Sequence, residues 1–264
     1  MTNPNIWNQA LIWPITNLLV GFYKLCEMLH LPGPLGFAII LLTVVMRFLL
    51  YPLMHAQLMS AKKMTDLKPQ IDGLKDKFKD DKQGLQQAQL ALYKENGVNP
   101  AAGCLPTLVQ FPILIALYNV FYQLLGSSDI NAFVQEINSI VYFSWLKITN
   151  LDLTFFGINL AIKPGEWQKF GWWLLLIPII TAALQWYQSR LMMPSSKPVT
   201  KALAKPEEKK KDDMGDIQRQ MMMITPVMFG FFALQLPIGL SLYWNIFSIF
   251  GIIQQLQVNK AAKK

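Results

Sequence analysis

The chain has 264 residues, of which 53% are apolar and only 15% are charged, against about 25% charged residues in soluble domains. Its apolar residues fall in blocks of about twenty, which is the length that crosses a bilayer as a helix. This pattern excludes a disordered chain, and the widely separated Cys26 and Cys104 exclude a disulfide scaffold.

The first 32 residues predict an amphipathic helix that lies on the outer membrane surface. Its apolar residues recur every three or four positions, at Trp7, Leu11, Ile15, Leu18, Phe22, Leu25 and Leu29. The segment lacks the basic start and the small-residue cleavage site of a secretory signal, and its first basic residue is Lys24. A cleaved signal peptide stays open as the alternative.

The four apolar blocks predict five membrane-spanning helices, because the last block is long enough for two. The predicted spans are residues 35–55, 103–125, 170–191, 221–236 and 238–258. Pro237 followed by Gly239 is a turn signal that divides the last block. We therefore predict an all-α, polytopic membrane protein with five transmembrane helices, an N-terminal interfacial helix and a cytoplasmic helical hairpin.

Residues 56–100 predict that cytoplasmic hairpin. One apolar stripe steps by three and four through Met64, Leu67, Ile71, Leu74 and Phe78, and a second runs through Leu85, Ala88 and Leu92. The polar residues 80–84 between them favour a turn. A solvated linker is the alternative, although a linker has no need of an apolar seam.

The remaining segments differ in character. Residues 126–169 predict an external loop, in which the apolar piece 133–146 is too short for a span and suits an interfacial or re-entrant position. Residues 192–219 are rich in proline and charge, which favours a flexible cytoplasmic loop. Residues 259–264 form a basic tail that could touch anionic lipid or ribosomal RNA, or only fix the topology.

The basic residues predict the orientation of the chain in a membrane. Eight lie in residues 55–100, eight in residues 190–219 and three after residue 258, which together are 19 of the 24. Five spans with the N-terminus outside and the C-terminus in the cytoplasm place all three stretches in the cytoplasm, as the positive-inside rule requires. A sixth span would place at least one of them outside.

Arg47 is the strongest functional candidate in the sequence. It lies in the predicted span 35–55, near mid-membrane and slightly toward the cytoplasm. An arginine at such a depth costs at least ~2.5–3.5 kcal/mol on insertion scales. Because no aspartate or glutamate lies in any predicted span, this charge needs water, polar side chains or a visiting anionic group.

Further polar residues recur at helical spacing within the spans. With Arg47 they predict a substrate groove that is water-filled, open to the cytoplasm and closed toward the outside. The predicted groove residues are Arg47, Thr43, Gln110, Thr181, Gln185, Gln188, Ser241, Trp244, Asn245 and Ser248. The alternative is that they form ordinary hydrogen bonds between helices, each worth roughly 0.6 kcal/mol.

Two rival classes of function are less consistent with the sequence. The chain has two histidines, His30 and His55, and none of the nucleophile-elbow, zinc-protease or phosphate-loop motifs, so we predict no enzyme, no cofactor and no metal site. A small anion transporter or channel that uses Arg47 is the alternative function. It would be supported by inverted repeats, and the five spans show no two matching halves.

The chain resembles the YidC/Oxa/Alb family of membrane protein insertases. Residues 99–118 match the family pattern NP-x-x-GCLP-x-x-x-Q-x-P-I-x-x-x-x-Y, and the Met46-Arg47 pair and the sequence LPIGLSLYW at 236–244 also fit. The order of elements agrees over nearly the whole chain. The large outer domain typical of Gram-negative members is absent from the sequence, so the chain resembles the short form of the family.

The resemblance implies an insertase and chaperone that moves hydrophilic segments of nascent membrane proteins through the groove and releases apolar segments sideways into lipid. It implies that Arg47 is the groove arginine, that Gln185 and Trp244 line the groove, and that residues 58–97 first receive the client. The implied partners are nascent membrane proteins, the ribosome, membrane lipids and, in some members, the Sec translocon, with no DNA. The implied location is the cell membrane.

Overall fold

The computed structural model describes residues 2–78, 81–99, 105–126, 129–192 and 213–261. Within these ranges the chain is mostly helical, which confirms that part of the predicted fold class. The helices are α1 (Trp13–Met28, preceded by a π-helical turn Asn8–Ile12), α2 (Pro34–Leu49), α3 (Tyr51–Asp66), α4 (Lys68–Lys77), α5 (Lys82–Glu95), α6 (Leu105–Gly126), α7 (Ile130–Ile140), α8 (Trp167–Phe170), α9 (Leu176–Met192), α10 (Asp213–Gln235) and α11 (Ile238–Ala261).

Parts of several predicted features lie outside the described residues. They include residues 79–80 of the predicted hairpin, 100–104 of the family pattern, 127–128 of the predicted external loop, 193–212 of the predicted flexible loop and 262–264 of the predicted basic tail.

Helix α1 buries a different face from the one that its apolar periodicity marks. It packs on α2 and also contacts α6 and α7. The buried side chains include Ile12, Ile15, Thr16, Asn17, Leu19, Val20, Tyr23 and Cys26. Of the predicted stripe only Ile15 is buried, whereas Trp7, Leu25 and Leu29 are exposed. The helix therefore packs a face that contains polar residues against the protein, and much of its apolar stripe stays exposed.

Two buried side chains of α1 attach the segment that follows α7. Asn17 Nδ2 donates to the Ile140 carbonyl at 3.0 Å, and Asn17 Oδ1 accepts from the Tyr142 amide at 2.6 Å. The Tyr23 hydroxyl accepts from the Asp152 amide at 3.0 Å. Burial raises the pKa of the Tyr23 phenol above its ordinary value, and the hydrogen bond from the Asp152 amide partly opposes that rise.

The predicted first span is bent. Helix α2 ends at Leu49, α3 begins at Tyr51, and their axes differ in direction by 64°. Proline at position 52 explains the break, because it has no N–H to donate four residues back and its ring crowds that carbonyl. The same proline is well accommodated in the first turn of α3. Residues 35–55 therefore do not form one straight helix.

A small antiparallel sheet, missed by the all-α prediction, covers the beginning of α2. Its strands are β1 (Thr154–Phe155) and β2 (Ile158–Asn159), with Phe155 opposite Ile158. The turn between them has positive φ at two successive residues, 49° and 81°, as tight hairpins require. A β-carbon on Gly36 would overlap the Phe155 ring. Glycine in α2 therefore lets the hairpin lie directly on that helix.

Helix α9 packs against both α10 and α11. Glycine lets α10 approach α9 closely, since a β-carbon on Gly230 would lie 3.0 Å from the Ala182 side chain. The first backbone N–H groups of a helix have no partner within it. In α11 the amides of Ile238 and Gly239 donate to the carbonyls of Ile162 and Leu160, both at 2.9 Å, so the segment between α7 and α8 caps this helix.

Helices α4 and α5 pack against each other and have a small apolar cluster of their own. Its members are Leu67, Ile71 and Val98, with Met64, Leu92 and Tyr93 against them. The Asp81 side chain accepts from the Gly84 amide at 2.8 Å and caps α5. This cluster is separate from the main core, to which α1, α2, α6, α7 and α11 contribute buried side chains.

None of the helices in the described ranges combines on its own the length and the apolar character of a membrane span. The bent pair α2 and α3 meets that test when taken together, and Gln110–Val120 and Met223–Gln235 are shorter apolar helical stretches. The number of spans therefore stays a prediction.

Candidate polar site around Arg47

Arg47 lies in the last turn of α2 and points its charge at α11. Its side chain is 6% exposed. The guanidinium donates through Nη2 to the Phe247 carbonyl, and its central carbon lies 3.5 Å from the centre of the Phe247 ring. A cation over an aromatic face is attracted by the ring quadrupole. Arg47 Nε is buried without a hydrogen-bond partner among the described residues.

Gly251 marks the point where side chains from α2 and α9 meet. A β-carbon at this position would lie 2.8 Å from Arg47 Nη2 and 2.6 Å from Gln188 Nε2. Both distances are shorter than real β-carbon contacts, so a larger residue would displace these two side chains. The structure therefore brings two predicted groove residues, Arg47 and Gln188, together over one glycine of α11.

A buried hydrogen bond connects α6 to the same face of α11. Gln110 Nε2 donates to the Tyr243 hydroxyl at 2.6 Å, and both side chains are buried. Tyr243, Phe247 and Gly251 are four residues apart, which places them on one face of a helix. The Tyr243 and Phe247 rings are stacked, with centres 6.0 Å apart. This face of α11 thus organises the side chains that reach it from α2, α6 and α9.

Two predicted groove residues satisfy their hydroxyl groups within their own helices. Thr43 donates to the Ile39 carbonyl at 2.7 Å, and Thr181 donates to the Ile177 carbonyl at 2.9 Å. Such bonds to the carbonyl four residues back need no partner helix. Gln185 is half-buried on α9.

Trp244 of α11 contacts α10. It stacks on Phe229, with ring centres 4.5 Å apart and planes 25° apart. The other predicted residues of α11 are Ser241, Asn245 and Ser248, which step by four and three, and the two serines are buried. The aromatic residues of α11 therefore make one contact toward α10, through Trp244, and one toward Arg47, through Phe247.

Unsatisfied polar atoms concentrate among the predicted groove residues. In the described ranges, seven buried side-chain atoms lack a hydrogen bond, and five belong to that set, namely Arg47 Nε, Gln110 Oε1, Ser241 Oγ, Trp244 Nε1 and Asn245 Oδ1. Buried polar groups are normally paired, and an unpaired one costs about 1–3 kcal/mol. This interior is therefore suited to water or to a polar guest.

A cavity of about 180 Å³ lies beside Arg47, where α2 bends into α3 and passes the last turns of α11. Its lining residues are Arg47, Phe48, Tyr51, Phe250, Ile253, Gln254 and Gln257. Gln254 Nε2 also donates to the Tyr51 carbonyl at 3.4 Å, which connects α11 to the start of α3.

Tyr243, Phe247 and Gly251 build the face that receives Arg47, but they are not among the predicted groove residues. The prediction for the fifth span rests on its polar residues and does not include this aromatic pair and glycine. Their spacing of four was visible, and two aromatic residues followed by a glycine on one helical face indicate a close approach by another side chain.

Comparison with known proteins gives consistent matches. A family model described as 60Kd inner membrane protein matches residues 28–264. The membrane protein insertase YidC of Rickettsia felis is 31% identical over 244 residues, which cover 90% of this chain and 38% of that protein. The insertase YidC of Pelobacter propionicus is 30% identical over 258 residues, with 96% and 39% covered.

A chloroplast protein gives a similar match. The inner membrane ALBINO3-like protein 1 of Chlamydomonas reinhardtii is 30% identical over 266 residues, which cover 96% of this chain and 50% of that protein. The chain thus spans about two fifths of the length of the two bacterial relatives and half of the algal one.

Proposed function

Because the chain belongs to the 60Kd inner membrane protein family, which is the YidC/Oxa/Alb family that its motifs resemble, we propose that it is a membrane protein insertase. It moves hydrophilic segments of nascent membrane proteins through a polar groove and releases apolar segments sideways into lipid. The observation that carries this proposal is the set of five unsatisfied buried polar atoms among the predicted groove residues. The names of the bacterial relatives agree with it, and those matches lend no support to an anion transporter or channel.

The proposed arrangement is a multi-pass protein of the cell membrane with five spans, the N-terminus outside and the C-terminus in the cytoplasm. We expect topology reporters fused at Lys75, Asn150 and Lys205 to read cytoplasmic, external and cytoplasmic, because the basic residues concentrate in the two stretches placed inside. Reporter activity and protease protection on intact cells measure this directly. A cytoplasmic signal at Asn150 would contradict the arrangement.

In the proposed mechanism a groove containing water shortens the distance that a polar client segment must cross through hydrocarbon. Each polar group carried unaided through hydrocarbon costs several kcal/mol. The charge of Arg47, which has no carboxylate partner on its own helix or on α11, attracts an acidic client tail. The membrane potential, positive outside, then draws that tail onward by ~2.3 kcal/mol per charge for each 100 mV.

The electrostatic role of Arg47 is tested with matched clients whose outer tails are acidic or neutral. We expect Arg47→Ala to slow insertion of the acidic client at least about tenfold, which corresponds to ~1.4 kcal/mol, and to affect the neutral client less. Arg47→Lys keeps the charge and should retain most activity. Arg190→Ala, at an exposed arginine, is the matched control. Equal loss for both clients with a collapsed melting temperature would instead assign Arg47 to helix packing.

We also propose that residues 58–97 of the hairpin first receive the client, and that the ribosome, membrane lipids and in some settings the Sec translocon are partners. The separate apolar cluster of α4 and α5 supports a hairpin that folds as its own unit. The same insertion assay with residues 64–92 deleted tests the hairpin. A normal rate for the deletion variant would show that the hairpin is dispensable. The proposed role needs no covalent chemistry and no cofactor.

A further inference from the structure

The cavity at the α2–α3 bend has the chemistry of an anion site. Among the described residues that line it, Arg47 is the only charged one, and Gln254, Gln257 and Tyr51 add polar groups. The segments Pro34–Leu49 and Ile238–Ala261 contain no aspartate or glutamate. In α3, which contributes Tyr51 to the lining, the acidic residue is Asp66 at the opposite end of the helix, where it pairs with Lys62 at 2.6 Å. The arginine is nine-tenths buried, and its Nε has no partner within the described ranges.

The surroundings of the cavity indicate an anion that carries an apolar tail. Phe48 and Leu49 beside it are 70% and 66% exposed. On α11 the exposed residues Ile249, Ile253 and Leu256 step by four and three and form an apolar strip that reaches the cavity wall at Ile253. A soluble anion gains nothing from this strip, whereas an acyl chain can lie along it.

The size and the guanidinium geometry suit a phosphodiester. The cavity volume of about 180 Å³ is far above the ~10–15 Å³ that one water needs. A guanidinium presents N–H donors that match phosphate oxygens. We propose that this cavity binds the headgroup phosphate of an anionic phospholipid from the cytoplasmic leaflet, with an acyl chain on the Ile249–Ile253–Leu256 strip.

This site rests on the proposed membrane placement but not on client insertion. The lipid occupies Arg47 in the absence of a client, and an acidic client segment must displace the headgroup to reach the same charge. Anionic lipid is therefore a competitor of acidic clients at Arg47.

Native mass spectrometry of the full-length protein in detergent tests the site without any client. The protein is titrated with phosphatidylglycerol and with phosphatidylcholine of identical acyl chains. We expect the unaltered protein to bind phosphatidylglycerol at least tenfold more tightly and Arg47→Ala to lose this preference. Arg190→Ala should keep it, because Arg190 also lies over an aromatic ring, Trp186, but is exposed and does not line the cavity.

A second variant fills the cavity and leaves the charge in place. Gln257→Trp, at an exposed position of the lining, should weaken phosphatidylglycerol binding at least tenfold, and it decides the matter if Arg47→Ala fails to fold. An unchanged preference in Arg47→Ala, an equal loss in Arg190→Ala, or release of the lipid by excess inorganic phosphate would overturn the proposal. Normal client insertion without any lipid preference would overturn the lipid site and leave the proposed function standing.

Discussion

Replacing Gly251 with leucine is expected to abolish insertion of acidic-tailed clients while the protein still folds. A side chain at this position meets the ends of Arg47 and Gln188, at 2.8 and 2.6 Å from its β-carbon, and both ends can move. Overpacking lowers the free energy of unfolding by about 1–3 kcal/mol, and replacing a glycine inside a helix raises it by up to ~1 kcal/mol. The charge therefore stays in the protein but leaves the Phe247 ring. Insertion of acidic and neutral clients, with thermal melts in detergent, measures the effect.

Two other glycines provide controls for this variant. Gly230→Leu forces α9 and α10 apart, because the β-carbon would lie 3.0 Å from Ala182 and 3.3 Å from the Pro178 carbonyl, so it should impair both clients and lower the melting temperature. Gly73→Ala, with no atom within 4 Å of its β-carbon, should have no effect on insertion. Equal impairment of acidic and neutral clients in Gly251→Leu would contradict the proposal that Gly251 serves to position Arg47 on α11.

Removing the Tyr243 hydroxyl is expected to destabilise the protein by about 1–3 kcal/mol. In Tyr243→Phe the buried Gln110 Nε2 loses its acceptor at 2.6 Å, and the Gln110 Oε1 already lacks a partner in the described structure. Each kcal/mol lowers the melting temperature of a chain of this size by roughly 2–4 °C. Differential scanning fluorimetry in detergent measures the change.

A double-mutant cycle tests whether Gln110 acts through its hydrogen bond to Tyr243 or through contact with the client. Tyr243→Phe combined with Gln110→Leu removes both polar groups, so its loss of stability should be smaller than the sum of the single losses by about 0.5–3 kcal/mol. Additive losses would mean that the hydrogen bond contributes nothing as a pair. If Gln110→Leu impairs insertion without any change in melting temperature, Gln110 acts on the client and not on α11.

The helical fold could be predicted because its signals are local. Blocks of apolar residues and a proline-containing turn mark where helices lie, and the structure has α10 and α11 on either side of Pro237. The bend after Leu49 was less predictable, because Pro52 in a first turn fits either a kink or a new helix start. The hairpin at Phe156-Gly157 lacks the usual asparagine or aspartate, and the buried face of α1 depends on partners far away in sequence.

The candidate site could be predicted only as a set of residues. An unpaired arginine in an apolar helix is visible in the sequence. The free-energy cost of burying its charge indicates that a partner must exist. Which helix supplies that partner is a matter of tertiary packing, and here it is a carbonyl and a ring of α11 rather than a polar side chain. For the same reason Trp244 and Arg47 share a prediction but make different contacts, Trp244 with Phe229 of α10 and Arg47 with Phe247 of α11. The roles of these residues in client transfer stay predictions.

In the proposed membrane placement, the bend after Leu49 also changes how deep Arg47 lies. In one straight helix the eight residues from Arg47 to His55 would cover about 12 Å along the membrane normal. With α2 along the normal and α3 inclined by 64°, the same residues cover only about 8 Å. In that placement the helix break brings the charge about 4 Å, or roughly three quarters of a helical turn, closer to the aqueous phase. A backbone angle set by a single proline would then lower the desolvation cost of the arginine and make a permanent positive charge tolerable without a carboxylate to neutralise it.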